Sequence, residues 1–596
     1  MSRKETKPFR QVLDKSLLLA AFLGMMATAD AQTKPDTAWI SKSNAYTNKL
    51  IAVNLRYSPE TGSSEGLSQF DNLVSDPSVR AELQNRHETE AVLAFIKASI
   101  KTEQNAKVRE DLQILVNSIT LSFKQQDFAL AHKIPFDNVS QDVFQGLRIL
   151  LDDQTNSIRR PSAIIRLKKY AGLMAGYTAY TLAVEQRVKE QMSKPGTIYP
   201  SKDEIETALE RNPVYINGIA SLFTKYKLTG WESSFTILKQ QLTAYDAWLK
   251  ATVLPHARTD FRLTKEEYDL NLLGFGIDIS STDLAAKAHK AFVEYQQEMS
   301  SIAASIARRR NLPSADYRDV ILALKKEQIT GDAILPLYQA RLKAIEEIVT
   351  KNQLVTLPTR AAIIRIATTA ETVQQPAPHM VPPAFMHNTG QRGEFVLPLN
   401  FPADKNGKED KYDDFSFDAV AWTLTAHEAR PGHELQFDLM LETGVSLARA
   451  LYAFNSTNVE GWGLYSEYLI KPFMPEEGQL MSLDLRLLRA ARAFIDPELQ
   501  SGTLTTTDAY RILQHDVVLS HAFAKEEVER FTFNSPGQAC SYFYGYTLLL
   551  QLRKDTEKAM GARFNQKKFH DFLLAQGLLP PALMRQAVFA EFVPAS

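Results

Sequence analysis

The residue types that could do chemistry are concentrated in the segment HEARPGH, residues 427–433. A histidine followed directly by a glutamate, with a second histidine close behind, is the arrangement found in zinc hydrolases. In such a site His427 and His433 would bind the metal, and Glu428 would act as a base toward a water molecule. The alternative is a pair of surface histidines near a kinked helix.

The spacing of the two histidines requires a break in the helix that carries them. In the common motif HExxH the histidines are about 40° apart around the helix. Here they are six residues apart, which on an unbroken helix is about 120° of divergence, too much for one metal. Pro431 lacks an N–H group and clashes with the carbonyl of His427, and Gly432 adds backbone freedom. We therefore expect the helix to bulge, extrude about two residues and return His433 to the side of His427.

A second acidic motif follows in EGWGLYSE, residues 460–467. Glu460 and Glu467 are two helical turns apart, so both face the same way. A glutamate on a second helix is the usual third ligand in such sites, and a solvated acidic face is the alternative. Each glycine costs about 1 kcal/mol in a helix interior relative to alanine, so the two glycines of the motif indicate close approach to a neighbouring helix.

A row of arginines on a later helix is the third candidate group. Residues 485–495 predict a helix with Arg486, Arg489 and Arg492 at three-residue spacing. Arg486 and Arg489 fit a solvated stripe. Arg492, ahead of Asp496, fits either a buried salt bridge or an anchor for a substrate carboxylate.

Two tyrosines lie on the next predicted helix. SPGQ, residues 535–538, is typical of a helix start with proline at the first position. The helix then carries Tyr542 and, one turn on, Tyr546. A tyrosine hydroxyl that faces zinc could donate a hydrogen bond to the oxyanion of a tetrahedral intermediate. The alternative is that both rings belong to an amphipathic core.

The elements that must position these residues are mostly helical. Apolar residues recur at three- and four-residue spacing before residue 350, and strand-like alternation is scarce. Several prolines then make residues 358–383 extended. GEFVLP, residues 393–398, predicts a short strand, at a sheet edge because of its proline. Such an edge near the zinc helix could pair with an extended peptide. The predicted helices include residues 91–100, 109–123, 164–192 and 284–308.

Composition narrows the classes of partner and of metal site. The chain has 596 residues, of which 44% are hydrophobic, enough for a large core. Its net charge of −1, without a basic block, argues against a nucleic-acid partner. The single cysteine, Cys540, excludes an intrachain disulfide framework and a zinc site built from cysteines.

The first 31 residues predict a signal peptide. A basic stretch precedes the apolar run 17–27, which is too short to span a bilayer, and ADA at residues 29–31 is a small-x-small cleavage site before Gln32. We expect a periplasmic or secreted protein with no membrane span after cleavage; an uncleaved N-terminal anchor is the alternative. Residues 32–357 would form a helical region and residues 358–596 the zinc-binding catalytic region, within one continuous unit that contains the cleft.

Five motifs together resemble a known family. In order along the chain they are HEARPGHELQ, EGWGLYSE, RAARAFID, EVERF and SPGQACSYFYG. This order resembles the bacterial domain-of-unknown-function 885 family, with fainter matches in YSPETGSSEG near residue 60 and in GEFVLP. The resemblance covers nearly all of the mature chain. It implies a mostly α-helical, zinc-dependent protein whose zinc site is related to that of thermolysin-like peptidases.

The resemblance also implies roles for individual residues. His427, His433 and Glu460 would be the zinc ligands and Glu428 the base. Many family members carry a second histidine after PGH, where this chain has Glu434, which favours His433 as the ligand. Many also have a glycine and a histidine at the positions of Glu498 and Gln500, so substrate preference here could differ.

We therefore expect an all-α protein with zincin-like catalytic helices, a short edge strand or small β element near the active-site cleft, and one Zn²⁺ ion. Its expected function is hydrolysis of peptide bonds in small peptides. The alternatives are a zinc amidohydrolase acting on a non-peptide amide and a catalytically inactive exported binding protein. Besides the ligands and the base, the candidate residues are Tyr542 for the oxyanion, Tyr546 as its reserve, and Arg492 and Arg530 for structure or for a peptide carboxylate.

Overall fold

Helices make up most of the structure, a computed structural model that describes residues 38–399 and 412–595. The prediction of a mostly α-helical protein with a small β element is confirmed. The helices of the first part are α1 (Ala38–Tyr57), α2 (Pro59–Ser64), α3 (Val79–Ile100), α4 (Ala106–His132), α5 (Val139–Arg148), α6 (Ser162–Tyr170), α7 (Tyr180–Met192), α8 (Lys202–Lys225), α9 (Glu232–Trp248), α10 (Lys265–Gly274), α11 (Ser281–Arg310), α12 (Tyr317–Lys325) and α13 (Ile334–Lys351).

The second part contains the strands and the remaining helices. The strands are β1 (Ile363–Ile366), β2 (His379–Val381) and β3 (Glu394–Leu397). The helices are α14 (Thr369–Gln374), α15 (Asp418–Glu428), α16 (His433–Thr443), α17 (Ser456–Ile470), α18 (Glu476–Ser501), α19 (Thr506–Arg511), α20 (His521–Glu529), α21 (Cys540–Met560), α22 (Gln566–Ala575), α23 (Pro581–Ala587) and α24 (Val593–Ala595).

Helix ends follow the local sequence. Ser201 and Glu204 form a reciprocal capping box at the start of α8. The helix predicted over residues 164–192 is two helices, α6 and α7, because the connection between them contains Gly172 and Gly176, both with positive φ (68° and 83°). The last predicted helix begins at Cys540, five residues after the predicted start.

The three strands form one small sheet in the order β1-β3-β2. β3 pairs parallel to β1, with Ile364 opposite Phe395, and antiparallel to β2, with Met380 opposite Phe395. The segment GEFVLP therefore forms the central strand, and its prediction as an edge strand is wrong. Pro398 lies just beyond the strand, so its missing N–H removes no ladder hydrogen bond. The edge strands of the sheet are β1 and β2.

The helix α18 lies at the centre of the second part. Every residue from 480 to 497 is buried, although the helix carries arginines and aspartates. It packs against α11, α15 and α21, while α17 packs against α15 and α21. The described residues from Trp39 onward form one compact unit. Side chains from both sides of residue 357, such as Leu324 and Leu488, share one hydrophobic core.

The described residues contain no helix with the length and apolar character needed to cross a bilayer. The predicted signal peptide, residues 1–31, lies outside the described residues.

Candidate active site

The helical segment that carries HEARPGH is interrupted between its two histidines, as predicted. α15 ends directly after the first histidine and its neighbouring glutamate, and α16 begins at the second histidine. Across the break, the N–H of Leu435 donates to the carbonyl of Ala429 (3.3 Å), a span of six residues where an α-helix has four. Two residues are thus extruded. The indole N–H of Trp462, from α17, donates to the carbonyl of Pro431 at 2.9 Å and fixes the extruded segment.

The break brings three potential metal ligands together. The Nε2 atoms of His427 and His433 lie 3.1 Å apart. The Oε2 atom of Glu460, from α17, lies 3.5 Å from the first and 3.3 Å from the second. Each residue offers one ligand atom, and all three atoms lie within 4.8 Å of one another. Within residues 38–399 and 412–595 this is the one group of His, Cys, Asp or Glu side chains that meets such a criterion.

Glu467 contacts one of the potential ligands and is not part of their group. Its Oε1 atom lies 2.7 Å from Nδ1 of His427, the ring nitrogen that faces away from Glu460. Its Oε2 atom accepts a hydrogen bond from the Thr423 hydroxyl at 2.8 Å. The guanidinium of Arg489 lies 3.5 Å from Oε1. A carboxylate on the second ring nitrogen fixes the tautomer and the orientation of a metal-binding imidazole.

The charges around the ligands fit a cation. Burial opposes the protonation of His427, but hydrogen bonds to Glu460 and Glu467 outweigh it and raise the pKa of His427 to about 9. The site therefore stabilises positive charge beside this ring, which either a proton or a divalent metal ion supplies. Two imidazole nitrogens and a carboxylate oxygen form a ligand set of catalytic zinc sites, so the residues fit this metal.

Gly463 leaves the space that the two imidazole rings occupy. A Cβ atom here would lie 2.6 Å from Cε1 of His427 and 2.9 Å from Cε1 of His433. The other glycine of the motif, Gly461, meets the neighbouring helix, since its Cβ would lie 2.7 Å from the carbonyl carbon of Gly545 in α21. One glycine thus allows the close helix approach that the sequence predicts, and the other makes room for the ligands.

The ligands lie in a cavity of about 250 Å³. Glu428 lines it, with Oε1 4.0 Å from Nε2 of His427. Burial raises the pKa of the Glu428 carboxyl above its ordinary value, although the two histidines oppose this shift. Apolar side chains supply much of the remaining wall, and they include Leu424, Phe437, Val459, Leu485, Leu488 and Phe523.

Tyr542 lies beside the potential metal ligands. Its ring is nearly parallel to that of His427, with the centroids 6.3 Å apart. The guanidinium groups of Arg492 and Arg489 lie 4.7 Å and 5.9 Å from its ring centre. Burial raises the pKa of the Tyr542 hydroxyl, although nearby arginines, Arg530 among them, oppose the shift. The hydroxyl therefore keeps its proton at neutral pH and can donate a hydrogen bond.

Both predicted carboxylate anchors line this cavity, but they differ in how they are held. Arg492 forms a bidentate ion pair with Glu527, in which both N–O distances are 2.6 Å. Arg530 lies 3.7 Å from the carboxylates of Glu526 and Glu527. The ion pairs of Arg530 are therefore longer than the ion pair of Arg492.

The remaining arginines and the second tyrosine depart from their predictions. Arg486 and Arg489 are not a solvated stripe, because they are only 4% and 6% exposed. Arg489 lines the cavity, a placement that the sequence reasoning missed. Tyr546 is not among the residues that line it: a further turn, about 6 Å along the helix, sets its ring 5.3 Å from the guanidinium of Arg486 instead. Tyr546 therefore lies outside the site, in contrast to its prediction as a substrate-binding residue.

A profile of the family described as "Bacterial protein of unknown function (DUF885)" matches residues 59–588. The chain belongs to this family. The resemblance inferred from the motifs is thereby confirmed. No curated protein matches this DUF885 chain.

Two solved structures share the fold of this DUF885 protein. The first is a "putative lipoprotein of unknown function" from Shewanella oneidensis, with 20% identity and a TM-score of 0.69 over 91% of this chain and 99% of its own. The second, a "putative lipoprotein" from Colwellia psychrerythraea, has 18% identity and a TM-score of 0.74 over 94% of this chain and 100% of its own. At these sequence identities, the similarity to the two structures shows a shared fold.

The fainter DUF885 motif near residue 60 supports the loop that follows β2. The carboxylate of Glu65 accepts the backbone N–H groups of Phe385 and Met386, at 2.7 Å and 3.0 Å. Pro382, from the start of this loop, lines the cavity of the metal ligands. The motif thus contributes to the cavity wall through backbone contacts.

Two of the three residues that depart from the DUF885 pattern, Glu434 and Gln500, have separate structural roles; the third, Glu498, contacts His289 at 2.6 Å. Glu434 pairs with Arg430 at 2.7 Å, and burial raises its pKa to about 7 against the influence of this arginine. Gln500 accepts the N–H of Leu263 at 2.8 Å and donates to the carbonyl of Phe531 at 2.7 Å. Neither side chain is among those that line the cavity.

Proposed function

We propose that this chain is an exported zinc-dependent hydrolase that cleaves peptide bonds in small peptides. The observation that carries the proposal is the convergence of His427, His433 and Glu460 in one cavity with Glu428 beside them. Glu467 on the far nitrogen of His427 adds support, because catalytic zinc sites orient their imidazoles in this way.

A zinc ion bound here would supply Lewis acidity, which polarises a carbonyl group and makes water nucleophilic at neutral pH. Glu428 is the base that takes a proton from the attacking water and returns it to the leaving amine. Its carboxylate lines the cavity and belongs to the residue next to His427, so the proton acceptor lies beside the ligands.

Tyr542 donates a hydrogen bond from its hydroxyl to the oxyanion that develops on the carbonyl oxygen. Its ring position beside His427 and its retained proton suit this role. Arg530 and Arg489 attract the carboxylate of a peptide, because they line the cavity and each contacts its carboxylate partner at 3.5 Å or more. Arg492, engaged by Glu527, mainly orders this part of the wall.

The strand β2 supports a peptide as the substrate. His379 and Met380 of this strand line the cavity. One edge of β2 pairs with β3, and within the described residues no strand pairs with the other edge. An extended peptide can add its backbone hydrogen bonds to such an edge while one of its carbonyl groups reaches the ligands.

Export is proposed from the N-terminal sequence. Residues 1–31 combine a basic stretch, an apolar run and a small-x-small site. The two solved structures of the same fold are named as putative lipoproteins, a class of exported proteins.

The test is elemental analysis of the purified protein together with mass spectrometry of a peptide mixture after incubation. We expect about one zinc per chain and cleavage that a chelator abolishes and added zinc restores. The Glu428→Gln protein should leave the mixture intact, whereas Glu442→Gln, on α16 and outside the cavity, should cleave it like the unchanged protein. Zinc at full occupancy without cleavage of any peptide would contradict the proposal.

A further inference from the structure

A second cavity, of about 330 Å³, is lined by side chains from α11, α17, α18 and α21. It shares no lining residue with the cavity of the metal ligands. Two of its aromatic side chains, Tyr468 and Phe473, are 37% and 41% exposed, so the cavity opens to solvent past an apolar rim.

Arg486 lines this cavity as a buried cation. Among the described residues no carboxylate forms an ion pair with it, and Glu467 and Glu298 act on its charge only from a greater distance. Arg486 is 4% exposed, and its Nε and one terminal nitrogen are buried without a hydrogen-bond partner among the described residues. The rings of Tyr546, Tyr295 and Tyr468 surround its guanidinium at 5.3 Å, 5.8 Å and 5.9 Å. Tyrosine rings stabilise a cation through their faces but leave its N–H groups unsatisfied.

The other charges of the cavity do not neutralise Arg486. Lys471 lines the cavity and is paired with Glu298, the one carboxylate among the lining residues. Arg553 also lines it and is paired with Glu557 at 2.8 Å. Arg486 therefore has no carboxylate in direct contact among the described residues, and a bound anion would satisfy its unpartnered N–H groups.

We propose that this cavity is a binding site for a small organic carboxylate with an apolar body. The two oxygens of a carboxylate match the fork of N–H groups on a guanidinium. The apolar body would rest on Leu354, Leu469 and Phe473, which line the same cavity. Inorganic phosphate would satisfy Arg486 but leave these side chains uncovered, so the lining favours the carboxylate. This site is independent of whether the chain is a hydrolase.

The test is calorimetric titration with 4-phenylbutyrate, with the neutral 4-phenylbutanol and inorganic phosphate as comparison ligands. The titrations are repeated after zinc removal, which excludes binding through the metal ion, and Arg530→Met tests for binding at the arginines of the first cavity, where no change in Kd is expected. We expect 4-phenylbutyrate to bind in both states and more tightly than either comparison ligand. In Arg486→Met the Kd should rise about tenfold or more, because hydrogen bonds to a charged group are lost. The matched control is Arg56→Met, an exposed arginine on α1, which should bind like the unchanged protein.

Phe473→Ala provides a second test if Arg486→Met does not fold. Phe473 lies at the exposed rim of the cavity, so its replacement should leave the fold intact. This variant should weaken binding of 4-phenylbutyrate more than binding of acetate. The proposal is overturned if 4-phenylbutyrate fails to bind or binds no better than 4-phenylbutanol. It is also overturned if Arg486→Met leaves the Kd unchanged, or if only inorganic phosphate binds.

Discussion

At the scale of single residues, two glutamates of α17 contact opposite nitrogens of the same imidazole. Glu460 faces Nε2 of His427 and Nε2 of His433, while Glu467 holds Nδ1 of His427. Because one carboxylate lies among the ligand atoms and the other behind them, the two should have different effects on metal binding when they are changed.

The first prediction separates the ligands from the base. His427→Ala, His433→Ala and Glu460→Ala each remove a donor atom, so zinc content and activity should fall together. Glu428→Gln keeps the shape of the side chain but loses the carboxylate, so zinc should stay while the rate falls by about 10²–10⁴. Zinc analysis and turnover measured on the same samples distinguish the two cases. Full activity in Glu428→Gln would show that the proposed base is wrong.

The second prediction concerns Glu467→Gln. The amide can still contact His427 and Thr423 but cannot provide the negative charge that strengthens the imidazole as a ligand. We expect zinc affinity to fall by about 10–100-fold, with zinc still bound at millimolar supply. Competition with a fluorescent chelator measures this change. Loss of zinc from Glu467→Gln together with its retention in Glu460→Ala would mean that the third ligand is misassigned.

The third prediction is that Gly463→Ala loses zinc without losing its fold. The added Cβ would lie 2.6 Å from one imidazole ring and 2.9 Å from the other, so the rings must move apart. The matched control is Gly274→Ala at the end of α10, where the Cβ meets only the flexible side chain of Gln125. Circular dichroism and zinc analysis check the pair. Zinc retained at wild-type affinity in Gly463→Ala would contradict the close fit.

Residue types alone predicted the candidate ligands and two arginines of the cavity, Arg492 and Arg530, but not the third, Arg489. His427, Glu428 and His433 form a local pattern, and the proline between the histidines predicts that the helix is interrupted there. Arg489 has no such signal, because three-residue spacing looks the same on a solvated face and on a buried one. Its burial depends on Glu467, a carboxylate that a different helix supplies.

At the scale of elements, α17 and α21 lie unusually close. A Cβ on Gly545 would lie 1.9 Å from the carbonyl oxygen of Thr457, and Gly461 lies on the same line of contact. This approach sets the distance between Glu460 on one helix and Tyr542 on the other.

The fourth prediction is that Gly545→Ala destabilises the protein. The new methyl group must push the helices apart, which typically costs about 1–3 kcal/mol, whereas alanine in an unhindered helix position stabilises by up to about 1 kcal/mol. A lower melting temperature than that of both the unchanged protein and Gly274→Ala is therefore expected in thermal denaturation. An equal or higher melting temperature would argue against the tight contact.

Elements were predictable where the signal was local. The break between α15 and α16 follows from Pro431 and Gly432, but the order of the strands depends on pairing between distant segments. β1 and β2 have four and three residues, too few to show alternation of apolar and polar side chains. Because the sequence did not predict these two strands, it gave no sign that β3 lies between them, and β3 was predicted as an edge strand.

At the scale of the whole molecule, residues on both sides of position 357 share a core around α18. The division at residue 357 was inferred from a change in composition, which reflects the proline-rich approach to the sheet. Composition could not reveal that α18 would be covered on all sides, since its arginines and aspartates are typical of a solvated helix.

The fifth prediction belongs to the whole chain and concerns export. The protein isolated from its native host should begin at Gln32, because cleavage after a small-x-small site removes the segment before it. N-terminal sequencing of the periplasmic or secreted fraction measures this directly. A mature protein that starts at Met1 or Ser2 would rule out cleavage.

The six-residue hydrogen bond across the break has a consequence for how such sites can arise. Removing Arg430 and Pro431 from the sequence would leave His-Glu-Ala-Gly-His, in which the histidines are four residues apart as in HExxH. An insertion or deletion of two codons would thus interconvert the two motifs while the donor atoms keep their positions. In this chain buried contacts hold Arg430 and Pro431, since Arg430 is paired with Glu434 and the carbonyl of Pro431 accepts the indole N–H of Trp462. The deletion would therefore restore the common spacing at the expense of buried contacts that formed around the longer one.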